Sequence, residues 1–138
     1  MSGCSRRTFN LVACGAAVEL WACGTSLKTL TPSGNVVTLS YAEFPQLASP
    51  GGSAVVAVSG QFPLAVVRTD DATAVALSAT CTHAGCTLEY APERTQLHCN
   101  CHDANFTLDG AVVSGPTVIP LPVYPATPGA DAITVDLR

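Results

Sequence analysis

Charged side chains are scarce in this 138-residue chain: Asp, Glu, Lys and Arg make up 12% of it, with ten acidic residues against six basic ones. No basic patch is available to neutralise phosphates, which argues against a nucleic-acid partner. Long apolar runs are missing too. The best candidate, Leu11 to Ala22, is shorter than the ~20 residues needed to cross a bilayer and contains Glu19, so a permanent transmembrane anchor is not expected. Helical periodicity never persists beyond about two turns, and there is no internal repeat or low-complexity tract. Gly51-Gly52-Ser53 is not followed by Gly-Lys-Ser/Thr, so it reads as a turn and not as a phosphate loop. No pattern of general base, nucleophile or substrate pocket is visible, and no substrate-turnover site is expected.

What remains is apolar and heavily punctuated. Hydrophobic residues make up 48%, with ten Pro and eleven Gly between short runs rich in Val, Ala, Leu and Thr. Such a mix predicts a single all-β domain with many turns. Strands are expected over Val36–Tyr41, Ala54–Ser59, Leu64–Thr69 and Thr73–Ser78, the second and third forming a hairpin through Gly60–Pro63. Further strands are expected over Asn105–Leu108, Ala111–Val113, Leu121–Tyr124 and Ile133–Leu137, and Pro45–Ser53 reads as a loop.

Seven cysteines fall in two groups. Cys4, Cys14 and Cys23 lie near the start; Cys81, Cys86, Cys99 and Cys101 share one short stretch with His83, His98 and His102, which are all the histidines in the chain. Concentrating every sulfur and imidazole of the body in one window points to ligation of a metal or cluster. Two boxes carry it: Cys81-Thr82-His83-Ala84-Gly85-Cys86 and Cys99-Asn100-Cys101-His102. Two thiolates and two imidazoles suit a structural zinc, and they equally suit a [2Fe–2S] cluster with both histidines on one iron. Four ligands suffice, so two cysteines are left over, and in an oxidising compartment they would form a disulfide.

The boxes resemble those of Rieske proteins, whose pattern is C-T-H-x-G-C followed by C-x-C-H. The likeness extends through Asn105–Phe106, Gly110, Val112 and Gly115-Pro116, the last pair resembling the family's proline-containing loop. It implies a Rieske-type antiparallel β sandwich over residues 35–138, with a cluster-binding subdomain over about 79–117. It also implies one [2Fe–2S] cluster, with Cys81 and Cys99 on the buried iron and His83 and His102 on the outer one. Cys86 and Cys101 would form the disulfide, and His98 would have no ligand role. Backbone N–H groups of Ala84 and Gly85 would face the sulfides, with Gly85 allowing a close approach. High-potential members follow the second box with Gly-Ser and a later Tyr. Here the run is Asp103-Ala104-Asn105-Phe106, so Ala104 and Phe106 lack both hydroxyl donors, which should lower the potential.

The leader has its own resemblances. Ser5-Arg6-Arg7-Thr8-Phe9 resembles a twin-arginine export signal, and Leu20-Trp21-Ala22-Cys23 resembles a lipobox, implying a signal over residues 1–23 and lipidation at Cys23. Residues 24–34 read as a polar linker. The expected protein is an exported electron-transfer component, periplasmic or lipid-anchored. Its partner would be a redox protein: a cytochrome, a quinol-oxidising complex of the bc type, or a molybdenum enzyme such as arsenite oxidase, in which it would be the small subunit. The reading from another class is a structural zinc module without redox function.

Overall fold

The computed structural model describes residues 27–138. The twin-arginine pair Arg6–Arg7 and the lipobox ending at Cys23 lie outside the described residues. Eleven strands follow in chain order: β1 Thr29–Leu30, β2 Val36–Ser40, β3 Ser53–Val58, β4 Leu64–Arg68, β5 Ala74–Ser78, β6 Glu89–Ala91, β7 Gln96–Cys99, β8 Ala104–Thr107, β9 Val112–Ser114, β10 Val123–Pro128 and β11 Ala132–Asp136. One 3-10 turn, Pro45–Ala48, occupies the expected loop before β3.

Seven strands form one sheet in the order β1-β3-β4-β5-β10-β11-β2, and β6-β7-β8-β9 form a second, smaller one. Neighbours are antiparallel except β1 and β3, which run parallel. Consecutive strands β1 and β2 sit at opposite edges of the large sheet yet are joined only by residues 31–35. So short a link spans at most about 20 Å, so the sheet must curl until its edges approach, giving a barrel-like wall. The core inside records that closure: Val37 and Leu39 of β2 pack with Val56 and Val58 of β3.

The stretch 24–34, read as a tether, is therefore partly folded. Thr29 and Leu30 pair with Ala57 and Val58, because the edge of β3 offers unpaired backbone groups that a short strand satisfies. Two further strands, β6 and β7, were hidden by the cysteine-rich window, and the expected Leu121–Tyr124 strand begins later, at Val123. Asp70 closes the β4–β5 turn by accepting from the amides of Ala72 and Thr73.

β4 is buried along its whole length because it separates two cores. Leu64 and Val66 face the barrel interior, whereas Ala65 faces out to meet Leu88, Leu97, Phe106 and Leu121 under the small sheet. On β5, Ala76 and Leu77 divide the same way. The small sheet is thereby held on the outside of the barrel by a shared wall.

Arg68 ends β4 as a buried cation with no carboxylate partner among the described residues. Its guanidinium donates to the carbonyls of Leu47, Ala48, Asp70 and Asp71 and to the Tyr41 hydroxyl, at 2.8–3.2 Å. One side chain thus joins the 3-10 turn to the β4–β5 turn. Arg68→Leu should leave these buried acceptors unsatisfied and lower stability by about 2–4 kcal/mol, read as a drop in the urea midpoint at unchanged m-value.

Candidate metal centre

The first box is a tight loop at the end of β5. The Cys81 amide donates to the Cys86 carbonyl at 2.8 Å, the Gly85 amide returns to the Cys81 carbonyl at 2.9 Å, and a bridge between Thr80 and Thr87 closes the base. The second box is the turn of the β7–β8 hairpin, with Cys99 opposite Ala104 in the last register pair. Asp103 adopts φ +57° there, a conformation that Asp tolerates better than most residues, and its amide donates to the Cys99 carbonyl.

The disulfide Cys86–Cys101 locks the two loops together, with Cα atoms 6.5 Å apart. Cys81 and Cys99 remain free thiols, 2% and 0% exposed. They lie within hydrogen-bonding reach of each other, and burial pushes the Cys81 thiol pKa up, an effect partly offset by the amides of His83 and Ala84 aimed at its sulfur. Both thiols sit in the small-sheet core with Leu88, Leu97 and Phe106. His83 and His102 are exposed, and their rings meet edge to face with centroids 4.6 Å apart. The buried pair thus presents sulfur and the exposed pair nitrogen.

That separation tests the two cofactors left open by the spacing. One tetrahedral ion would draw its four ligand atoms around a single point, yet no three of Cys81, His83, Cys99 and His102 have ligand atoms all within 4.8 Å of one another. The cysteines that do gather so closely are Cys86, Cys99 and Cys101, and two of these are consumed by the disulfide. A sulfur pair inside and a nitrogen pair outside fit a two-iron cluster ligated from both ends.

Three details were not legible from the motifs. Gly85 has φ +74° and no protein atom within 4 Å of where a Cβ would lie, and its amide is spent on Cys81. The positive φ of this turn is itself a demand for glycine, one the motif does not display. Gly115, at φ +111°, does have a close neighbour: a Cβ would come within 2.5 Å of the Ala104 Cα, so the loop beginning at Gly115-Pro116 lies directly on the second hairpin. Asn105 is the third. Its Oδ1 accepts from Arg94 Nη1 at 3.2 Å and faces His98 Nδ1 at 2.9 Å, so that His98 nitrogen carries the proton. Its amide nitrogen donates to the Asp103 carbonyl and Ser114 Oγ. His98 is thereby engaged on the flank of the hairpin, bonded to Asn105 and not part of the His83–His102 pair.

Comparison with known proteins agrees with this geometry. The Rieske [2Fe-2S] domain family matches residues 39–125. The chain belongs to that family. Among curated relatives, the cytochrome b6-f complex iron-sulfur subunit of Chlorobaculum thiosulfatiphilum is 40% identical over 60 residues, covering 44% of this chain and 33% of that protein. The chain thus spans about a third of that relative. Among solved structures, the cyanobacterial plasma membrane Rieske protein from Synechocystis PCC 6803 superposes with a TM-score of 0.55 at 29% identity, covering 62% of this chain and 86% of its own. A chain from the complex of reduced oxygenase and oxidized ferredoxin in carbazole 1,9a-dioxygenase gives 0.63 at 25%, covering 77% and 96%.

As a Rieske domain, the protein carries one [2Fe–2S] cluster. The disulfide ties the two boxes together and leaves Cys81 and Cys99 as free thiols, so Cys86→Ser should still assemble cluster. It should lose it several-fold faster on warming, since a cross-link of this span stabilises by roughly 3 kcal/mol. Decay of the visible spectrum at fixed temperature measures this; wild-type decay in the variant would show the clamp to be idle.

Proposed function

We propose that this Rieske chain is a one-electron carrier in which Cys81 and Cys99 hold one iron and His83 and His102 the other. The observation that supports it is the split between buried paired thiols and exposed paired imidazoles. When bound, the cluster supplies a one-electron couple within the range of about −150 to +300 mV open to two-histidine centres. The chain's own residues do the rest. Leu88, Leu97 and Phe106 exclude water from the sulfur side, the amides of His83 and Ala84 steady the Cys81 sulfur, and His83 and His102 face solvent, where a partner can approach.

Iron and sulfide analysis of purified protein should return two of each per chain with a red-brown colour. His83→Ala or His102→Ala should abolish or alter the spectrum while His98→Ala leaves it largely intact. A colourless protein holding one zinc would end this reading.

A second reading makes the chain the Rieske subunit of a larger redox enzyme, and the likeness to cytochrome b6-f subunits favours it. The hydroxyl-poor second hairpin bears on the choice. Ala104 is fully buried opposite Cys99, and Phe106 is fully buried two residues on. Neither offers a donor to the sulfur side, so the reduced centre lacks two stabilising bonds and the potential should sit well below +300 mV. Ala104→Ser should raise it by about 65–130 mV, the equivalent of a charge-assisted donor worth about 1.5–3 kcal/mol. Voltammetry checks both statements.

Export by the twin-arginine route with lipidation at Cys23 completes the proposal, supported by Arg6-Arg7 and Leu20–Cys23. Mass spectrometry of protein from its native membrane should find an acylated chain beginning at Cys23, and Cys23→Ala should release it to the soluble fraction. Unmodified soluble wild-type protein would refute the anchor.

A further inference from the structure

Beside the first box the chain holds apolar side chains out in water. Val118 is 91% exposed and Ile119 57%, while Thr117 before them is buried. Apolar residues held outward in a row call for a reason, and the hydrogen bonds beneath them show that the arrangement is built. Thr82 Oγ1 lies 2.8 Å from the Ile119 carbonyl and 2.9 Å from Thr117 Oγ1, and the Ile119 amide lies 3.1 Å from Thr117 Oγ1. A carbonyl only accepts, so the single Thr82 proton goes to Ile119. The Thr82–Thr117 bond must then use the Thr117 proton, and Thr117 accepts from the Ile119 amide. The donors run in one direction around a closed ring: Ile119 N–H to Thr117, Thr117 to Thr82, Thr82 to the Ile119 carbonyl. Each bond polarises the next, and the ring rests on Thr82, between Cys81 and His83.

The electrostatic surroundings are one-sided. Among the described residues every cation is engaged: Lys28 with Glu43, Arg94 with Glu93 and Asn105, Arg138 with Asp136, and Arg68 in its nest of carbonyls. Asp103, next to His102, has its side chain 85% exposed, with one carboxylate oxygen 3.6 Å from His98 Nδ1. Exposed Glu89 accepts from Asn100 of the second box at 3.0 Å. The apolar knuckle is thus tied to the first box through Thr82, while the carboxylates belong to the second hairpin or are bonded to it.

We infer that Val118 and Ile119 form a preset docking knuckle, flanked by Asp103 and Glu89, for a redox protein whose own contact face is apolar at its centre and ringed with lysine or arginine. This rests on the carrier reading above. The ring fixes the knuckle before the encounter, so docking orders little chain, while the carboxylates steer the cationic rim and raise the rate of encounter.

Reduced, cluster-loaded full chain is mixed by stopped flow with a lysine-rich c-type cytochrome, and with the same cytochrome after succinylation of its lysines. The native cytochrome should be reduced at least ~10-fold faster at low salt, with the gap closing near 0.5 M salt as the charges are screened. Val118→Ser should slow the native probe roughly threefold or more at unchanged midpoint potential, consistent with loss of a central apolar contact. Asp103→Asn should flatten the salt dependence, whereas Asp131→Asn, an equal change of net charge on the β10–β11 turn, should not. Amide exchange at Ile119 reads the ring apart from any electron transfer: Thr82→Val should accelerate it at least ~10-fold and Thr82→Ser restore it. Equal rates with native and succinylated probes, or an unaltered rate in Val118→Ser, would overturn the knuckle. A chain that reduces a small uncharged mediator but discriminates neither probe loses the docking face and keeps the carrier reading. A chain without a cluster spectrum loses the carrier reading before any mixing.

Discussion

Two buried thiols lying side by side are an expensive arrangement for a chain to hold, and much of the small sheet exists to hold it. Cys81 and Cys99 are both removed from water, and burial disfavours ionisation of Cys81; without a ligand the two are weak hydrophobes that could pack in many ways. Their positions are fixed from outside. β5 delivers Cys81 along the wall shared by the two cores, and the β7–β8 hairpin delivers Cys99 at its mouth. The Cys86–Cys101 bond keeps the two loops in register, and the Gly115 loop closes over Ala104 because glycine leaves room for it.

Once the sulfurs are placed, the rest of the site follows from chain geometry. Each histidine is near its cysteine in sequence, yet the tight turns of both loops send the imidazoles outward, where their rings meet. The apolar cover stops on the sulfur side and the polar network of Asn105, Arg94 and His98 begins on the flank. This division between a dry inner face and a wet outer face is a consequence of which side of each loop the core occupies.

Much of this was visible in the residues. The Cys86–Cys101 disulfide was implied by the resemblance of the two boxes to the Rieske pattern, and most strands came from alternation and turn residues: Gly60–Pro63 joins β3 to β4 as expected. The failures have physical causes. β1 was missed because two residues carry no periodicity, and their pairing depends on an edge far away in sequence. β7 was obscured because His98 and Cys99 occupy positions where β-branched residues would announce a strand, and β6, Glu89-Tyr90-Ala91, is too short to show alternation. The Thr82–Thr117–Ile119 ring was beyond the motifs altogether, since hydroxyl partners are set by loops that meet only in three dimensions.

The curled sheet also bears on the order in which the molecule is made. β2 is paired along its length with β11, which is synthesised almost a whole domain later. Until β11 leaves the ribosome, β2 has no strand to complete its ladder of backbone hydrogen bonds, and the barrel cannot shut. Pairings between such distant segments are slow to form, and a waiting apolar strand is open to wrong partners. The first long strand of the barrel to be translated is therefore the one that stays unprotected longest.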